Sequence, residues 1–247
     1  MIPYIHSEVY HLFGFQLRTW GTLIAIAYMV GTWMAWRRAK ARGLQPDRVL
    51  DMAFWIFIAA FIGARLFHVL FYEPQYYWQH PLEAFDLRQP GYAIYGGFIG
   101  AAAAFFAYTK RQSLKALEYA DVLIWGLPLG CGIGRIGCFL IHDHPGTLTH
   151  FVLGVKYPDG SIRHDLGLYL SLVGFATALL FLWLNRKQRA PGFWFGTYMI
   201  IEGVVRFLLD FLRVVDVRYV GLTPAQYLSI PLIGVGVWLL YKTRRVA

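Results

Sequence analysis

DVLIWGLPLGCGIGRIGCFLI, residues 121–141, is an apolar run long enough to cross the roughly 30 Å hydrocarbon core of a bilayer as one helix. Inside it sit Arg135 and the glycines Gly126, Gly130, Gly132, Gly134 and Gly137. A guanidinium at membrane depth is costly unless it faces a cavity or a partner. Small residues at this density permit close helix approach or a broken backbone lining a cavity.

Working outward, comparable runs occupy 19–36, 49–72, 92–109, 166–184, 192–213 and 224–241, which makes seven spans. The 247-residue chain is 57% hydrophobic, 18% aromatic and 15% charged, more apolar than a soluble domain. No internal repeat, low-complexity segment or linker interrupts it. The expectation is an all-α polytopic membrane protein, a single integral-membrane domain of seven transmembrane helices over 1–247. Met1–Arg18 lacks a basic n-region followed by an h-region, so insertion is expected to rest on the spans rather than on a cleaved signal.

A formal charge of +9 in a soluble chain would suggest nucleic acid. In a membrane chain it reads as loop bias, and no nucleic-acid partner is expected. Arg37, Arg38, Lys40, Arg42 and Arg48, then Lys110, Arg111 and Lys115, then Arg186, Lys187 and Arg189, then Lys242, Arg244 and Arg245 fall on one side. The other side holds only Arg18, Arg88, Lys156, Arg163 and Arg218. The positive-inside rule then places the N-terminus outside and the C-terminus in the cytoplasm. The outer segments are the N-terminal tail and the loops 73–91, 142–165 and 214–223. Tyr76, Tyr77 and Trp78 suit an interfacial belt. Cys131 and Cys138 lie seven apart on one predicted helix, too far along it for a disulfide, and are read as reduced packing residues.

Four arginines, Arg65, Arg135, Arg206 and Arg213, lie within the spans. Arginine stays charged and offers a planar fork of donors, which points to a phosphate or carboxylate ligand. Phospholipid headgroups are the nearest source. Arg206, Asp210 and Arg213 follow i, i+4, i+7 spacing, predicting one helix face on which Asp210 bridges both arginines and leaves a positive remainder for an anion. Arg65 is expected to face the bundle interior.

The run ends in Gly134-Arg135-Ile136-Gly137-Cys138-Phe139-Leu140-Ile141-His142-Asp143-His144-Pro145-Gly146. This resembles the signature of the prolipoprotein diacylglyceryl transferase family, Gly-Arg-x-Gly-Asn-Phe-apolar-Asn-x-Glu-x-x-Gly. Gly134, Arg135, Gly137, Phe139, Leu140 and Gly146 match, and Asp143 stands where the family has glutamate. Gly63–Tyr72, Tyr95–Gly100, Arg163-His164 and Arg206–Arg213 are similar to further family motifs, so the likeness spans nearly the whole chain. It implies transfer of a diacylglyceryl group from phosphatidylglycerol, or another anionic phospholipid, to the thiol of a prolipoprotein lipobox cysteine, with release of glycerol phosphate. It also implies a bacterial plasma (inner) membrane location with the active site towards the outer face. Arg135 and Arg206 would clamp the phosphate, Gly96 and Gly97 would let backbone approach lipid or acceptor, and Arg65, His68, Asp210 and Arg213 would border the site.

Several positions depart from the family pattern. Tyr95 stands where the family has its presumed thiol-activating histidine, and a tyrosine titrating near about 10 is a poor base at neutrality. Cys138 and Ile141 replace signature asparagines, and Leu170 replaces a glutamate. Replacement bases are His142 or His144 first, then His164 and His68, with Asp143 or Asp165 available to orient an imidazole. His142-x-His144 with His164-Asp165 offers zinc donors, but the spacing matches no structural-zinc pattern, so no metal and no cofactor is expected. The alternatives to the prolipoprotein reaction are the same donor chemistry with another acceptor, and a non-catalytic anionic-lipid binder or transporter.

Overall fold

The computed structural model describes residues 1–12, 14–86, 91–214 and 218–244. Arg88 and Arg245 lie outside these, as do parts of the predicted loops 73–91 and 214–223. In chain order the elements are β1 (Ile2–Pro3), β2 (Val9–Leu12), β3 (Phe15–Arg18), α1 (Thr19–Ala41), α2 (Pro46–Phe71), α3 (Pro74–Gln79), α4 (Ile94–Arg111), α5 (Ala116–Ile141), β4 (Pro145–Leu148), β5 (Val155–Lys156), β6 (Ile162–Asp165), α6 (Leu166–Leu184), α7 (Phe193–Leu209) and α8 (Pro224–Arg244). Short 3₁₀ turns lie at Pro81–Phe85 and Asp210–Leu212.

The chain is mostly helical, and each of the seven apolar runs falls on one of the long helices α1, α2, α4, α5, α6, α7 and α8. Among the described residues, α2, α5, α6 and α8 are long and apolar enough by themselves to cross a membrane. Their outward faces carry exposed large hydrophobics such as Phe54, Trp55, Leu179, Trp183 and Trp238. Surface of this kind needs lipid against it.

Two small sheets accompany the helices. The predicted outer loop 142–165 folds, together with β1 of the N-terminal tail, into a sheet of order β1-β5-β6-β4, with β1 parallel to β5 and β6 antiparallel to both β5 and β4. The N-terminal tail adds the hairpin β2-β3, with Val9 opposite Arg18 and Leu12 opposite Phe15. The sixth predicted span is also shorter than its apolar run. The α-helix stops at Leu209, and Arg213 is extended, with φ −75° and ψ 138°.

The chain divides into two compact units, Met1–Arg38 with Ala120–Ala247, and Ala39–Tyr119. In the first, Trp125, Phe181 and Trp194 form a buried aromatic cluster, with the Arg38 guanidinium 3.9 Å from the Trp125 ring centroid. Buried Asp121 on α5 accepts from the backbone N–H groups of Gly192 and Phe195, both at 2.8 Å. It thereby caps α7 from a neighbouring helix and meets that helix's positive dipole end. In the second unit α2 and α4 approach closely where Gly63 faces Gly96 and Ala59 faces Gly100.

The α1–α5 crossing sits on Gly31 and Gly126, where a Cβ on Gly126 would meet the Gly31 carbonyl. Gly126→Leu is therefore expected to destabilise the protein by about 1–3 kcal/mol through overpacking. Gly234 in α8 has nothing within 4 Å of its would-be Cβ. Gly234→Ala should hold or gain up to about 1 kcal/mol from helix propensity. Thermal unfolding in detergent checks both, and an unchanged midpoint for Gly126→Leu would contradict the crossing.

Candidate functional site

In the first unit, α5 carries Gly134, Arg135, Gly137 and Cys138 on its last two turns and stops at Ile141. His142 has φ 50°, in the left-handed region, and turns the chain through Asp143 and His144 into β4. Backbone in that region is uncommon for a side-chain-bearing residue, so the surroundings must hold it. They do. His142 is buried, its Nδ1 lies 2.7 Å from Asp165 Oδ2 and its Nε2 lies 3.1 Å from the carbonyl oxygen of Ile5. The Tyr4 ring stacks on it at 4.0 Å.

Asp165 is a hub. Its Oδ1 accepts from the backbone N–H of Leu168 at 3.0 Å, capping α6, while Oδ2 also accepts from the Tyr157 hydroxyl at 3.2 Å. Burial and the adjacent Asp165 charge push the Tyr157 hydroxyl far above its ordinary value, so it stays a donor. One carboxylate thus fixes the end of α5, the start of α6, the sheet and the N-terminal tail.

Arg206 is within electrostatic range of both Arg135 and Arg213. Arg206 Nη2 lies 3.7 Å from Glu202 Oε1, and Arg213 Nη1 lies 3.6 Å from Asp210 Oδ1. Asp210, 1% exposed, accepts from the Thr223 hydroxyl. Gln226 accepts from the Thr223 backbone N–H at 2.9 Å and donates to the Phe207 carbonyl at 2.9 Å. The single helical face predicted for Arg206, Asp210 and Arg213 is thus corrected. The α-helix ends at Leu209, the ion pairs within 4.0 Å are Arg206 with Glu202 and Arg213 with Asp210, and Arg213 also pairs through its backbone with Gly146. Arg135 meets the sulfur of Cys138 rather than a carboxylate.

The signature glycines work in packing. A Cβ on Gly134 would meet Ile24, one on Gly137 would meet Trp20, and one on Gly146 would lie within 3.0 Å of His164 Cβ and the carbonyls of His164 and Leu212. Cys138 is buried, and Arg135 Nη1 lies 3.7 Å from its Sγ. The ligand atoms of Cys138, Asp143 and His144 all fall within 4.8 Å of one another. His144 Nδ1 lies 2.7 Å from the Asp143 carbonyl oxygen and 3.5 Å from its Oδ1. His164 Nδ1 lies 2.8 Å from the Tyr169 hydroxyl, and burial pushes its pKa below the ordinary histidine value.

In the second unit, Arg65 is 4% exposed and donates to the carbonyls of Glu83, Ala84, Asp86 and Gly91 at 2.8, 3.0, 3.2 and 3.1 Å. It gathers those four carbonyls around one guanidinium, a use the sequence did not suggest. His68 Nε2 lies 3.8 Å from Glu73 Oε1, and its ring stacks on Tyr72. Gly96, expected to admit a ligand, admits the Gly63 backbone and Phe67; Gly97 makes only ordinary contacts, and Tyr95 is half-buried at the start of α4. Sequence reasoning also passed over Glu202, although a carboxylate inside a span four residues before Arg206 carried the same signal as the arginines.

Comparison with known proteins gives one family. Residues 7–242 match the model of the family described as prolipoprotein diacylglyceryl transferase. The chain is similar to proteins named phosphatidylglycerol–prolipoprotein diacylglyceryl transferase from Roseobacter denitrificans, at 31% identity over 99% of this chain and 98% of that protein. It is likewise similar to those of Bacillus cytotoxicus, at 31% over 99% and 94%, and Finegoldia magna, at 34% over 96% and 95%.

Two measurements test the geometry. His142→Ala or Asp165→Asn removes one partner of a buried pair and should cost about 3–5 kcal/mol of stability, read as a lower unfolding midpoint in detergent; an unchanged midpoint would show that the hub is not structural. For His164, the lowered folded pKa means that the unfolded chain takes up the proton first as acid is added. The stability it contributes is present above the ordinary value near about 6.5 and drains as pH falls through the folded value. His164→Gln should flatten that acid limb, and an identical limb in the variant would exclude His164 as its source.

Proposed function

The chain belongs to the prolipoprotein diacylglyceryl transferase family, and from that premise we propose that it moves the diacylglyceryl group of phosphatidylglycerol to a prolipoprotein cysteine, with Arg135 and Arg206 holding the lipid phosphate. The observation that carries this reading is that Arg135 meets a thiol sulfur rather than a carboxylate while lying within electrostatic range of Arg206. The spare positive charge is what an anionic headgroup completes. In the reaction the acceptor sulfur attacks the glyceryl carbon, the carbon–oxygen bond to phosphate breaks, and the electron pair leaves on glycerol phosphate. Fixed guanidiniums stabilise the charge that grows on that leaving oxygen and need no reorganisation to do so.

Arg213 stays paired with Asp210 and carries the chain past Gly146, so it supports the clamp from behind. Thiol activation falls to a group other than the family histidine, since Tyr95 occupies that position. His142 has both ring nitrogens engaged and is buried. Cys138, Asp143 and His144, gathered at the end of α5 beside Arg135, are the better-placed group. The charge bias of the loops supports seven spans in a bacterial plasma membrane, with the N-terminus and this end of α5 at the outer face.

The test is incubation of the purified protein with phosphatidylglycerol labelled in its headgroup, with and without a lipobox peptide. Glycerol phosphate and a lipidated peptide are expected together. Release without peptide modification would point to another acceptor, and lipid retention without turnover would sink the enzyme reading. Arg135→Ala should lose about 2.7–4 kcal/mol of transition-state stabilisation, roughly a hundred- to thousandfold in rate. Full rate in that variant would remove Arg135 from the clamp.

A further inference from the structure

We propose that Cys138, Asp143 and His144 hold a divalent metal ion of the zinc class, and that the ion's remaining coordination position takes the acceptor cysteine as its thiolate. The inference rests on the transferase reading for its second half and on geometry alone for its first. The three donor atoms lie within 4.8 Å of one another. Zinc–ligand bonds of about 2.0–2.3 Å put the ligands of a tetrahedral ion roughly 3.3–3.8 Å apart, so the group closes around an ion with a contraction of at most about 1.5 Å. A thiolate, a carboxylate and an imidazole suit zinc rather than magnesium or calcium, which prefer all-oxygen sites. Two anionic ligands and one neutral one match the charge of a dication, which matters beside three arginines.

The surroundings fit as well. Cys138 is buried while Asp143 is exposed, so the ion has an approach from the loop side and a dry inner wall. Arg135 Nη1 lies 3.7 Å from Cys138 Sγ, a fixed positive group beside the sulfur that would ligate the ion. The set is not the one suggested by spacing in the sequence. His142 and Asp165 satisfy each other, and His164 turns to Tyr169. Two of the three ligands, Cys138 and His144, stand where the family signature has asparagine and an unconstrained position.

Three protein ligands leave a four-coordinate ion one open position. The reaction needs a thiolate, and a free cysteine with pKa about 8.5 is only a few per cent ionised at neutrality. Coordination removes the proton outright, so a metal performs the task that Tyr95 is unable to perform. The balance is complete: the thiol proton passes to solvent on coordination, the sulfur–carbon bond forms, and the carbon–oxygen bond breaks. Glycerol phosphate then departs as a dianion against the arginines. The neutral thioether is a weak ligand and gives way to the next thiolate.

The experiment is a titration of metal-stripped protein in detergent with Co2+, without lipid or peptide. A thiolate-to-cobalt charge-transfer band in the near ultraviolet and tetrahedral bands in the visible are expected. Cys138→Ser should abolish the charge-transfer band, and Cys131→Ser, at the other cysteine, should retain it. Asp143→Asn and His144→Ala should each weaken Co2+ binding at least about tenfold, the loss that even an outer supporting residue gives. No band, or a band that survives Cys138→Ser, overturns the metal site. Adding a lipobox peptide should strengthen the band, and its cysteine-to-serine analogue should leave it unchanged; equal responses overturn the acceptor half. A metal site present in a protein that releases no glycerol phosphate would instead defeat the transferase reading and leave the site standing.

Discussion

A charge inside an apolar helix bundle has no water to fall back on, and each ionised group must be met where it lies. The structure answers in several ways. Asp121 is met by the N-terminal N–H groups of α7, Arg65 by the carbonyls of Glu83, Ala84, Asp86 and Gly91, and Asp210 by Thr223 and Arg213. Asp165 is met by His142, Tyr157 and the N-terminus of α6. In every case the charge joins two separate pieces of chain, so the same contacts that make burial tolerable also determine how those pieces meet.

The outer sheet follows from that constraint. With His142 held in the left-handed region by Asp165, α5 is capped off and the chain must turn into β4. Gly146 then lies against His164 and the carbonyl of Leu212, close enough to pair through its backbone with Arg213. The end of α5, the end of α7 and the sheet are thus tied at one place. Arg135 comes from α5 and Arg206 and Arg213 from the end of α7, two segments far apart in sequence that the Gly146–Arg213 bridge ties together. Asp143 and His144 sit on the turn itself, close to Cys138, whose Sγ lies 3.7 Å from Arg135 Nη1.

Much of this was legible in advance. Apolar runs of bilayer length foretold the long helices, because length and hydropathy are local properties of the chain. The arginines were recognisable because guanidinium is so badly placed in hydrocarbon. The sheets were not legible, since β1, β4, β5 and β6 are two to four residues long and owe their pairing to contacts between the N-terminal tail and the 142–165 segment. The end of α7 was not legible either. The stretch after Leu209, Asp210-Phe211-Leu212-Arg213, carries no glycine or proline to stop a helix, and the bridge to Gly146 and the bond from Thr223 to Asp210 lie where the α-helix gives way.

The sequence by itself determined a helical membrane protein, its family, and the residue types able to hold an anionic headgroup, because these depend on hydropathy, length and local motif spacing. Tertiary structure alone decided what each of those residues does. It made Arg65 an organiser of its own loop and His142 a buried partner of Asp165, and it gave Arg206 and Arg213 separate carboxylates. It also brought the thiol of Cys138 together with Asp143 and His144. The reason is physical: a side chain's chemistry is set by what satisfies its donors and acceptors, and in this chain most of those partners come from segments far apart in sequence.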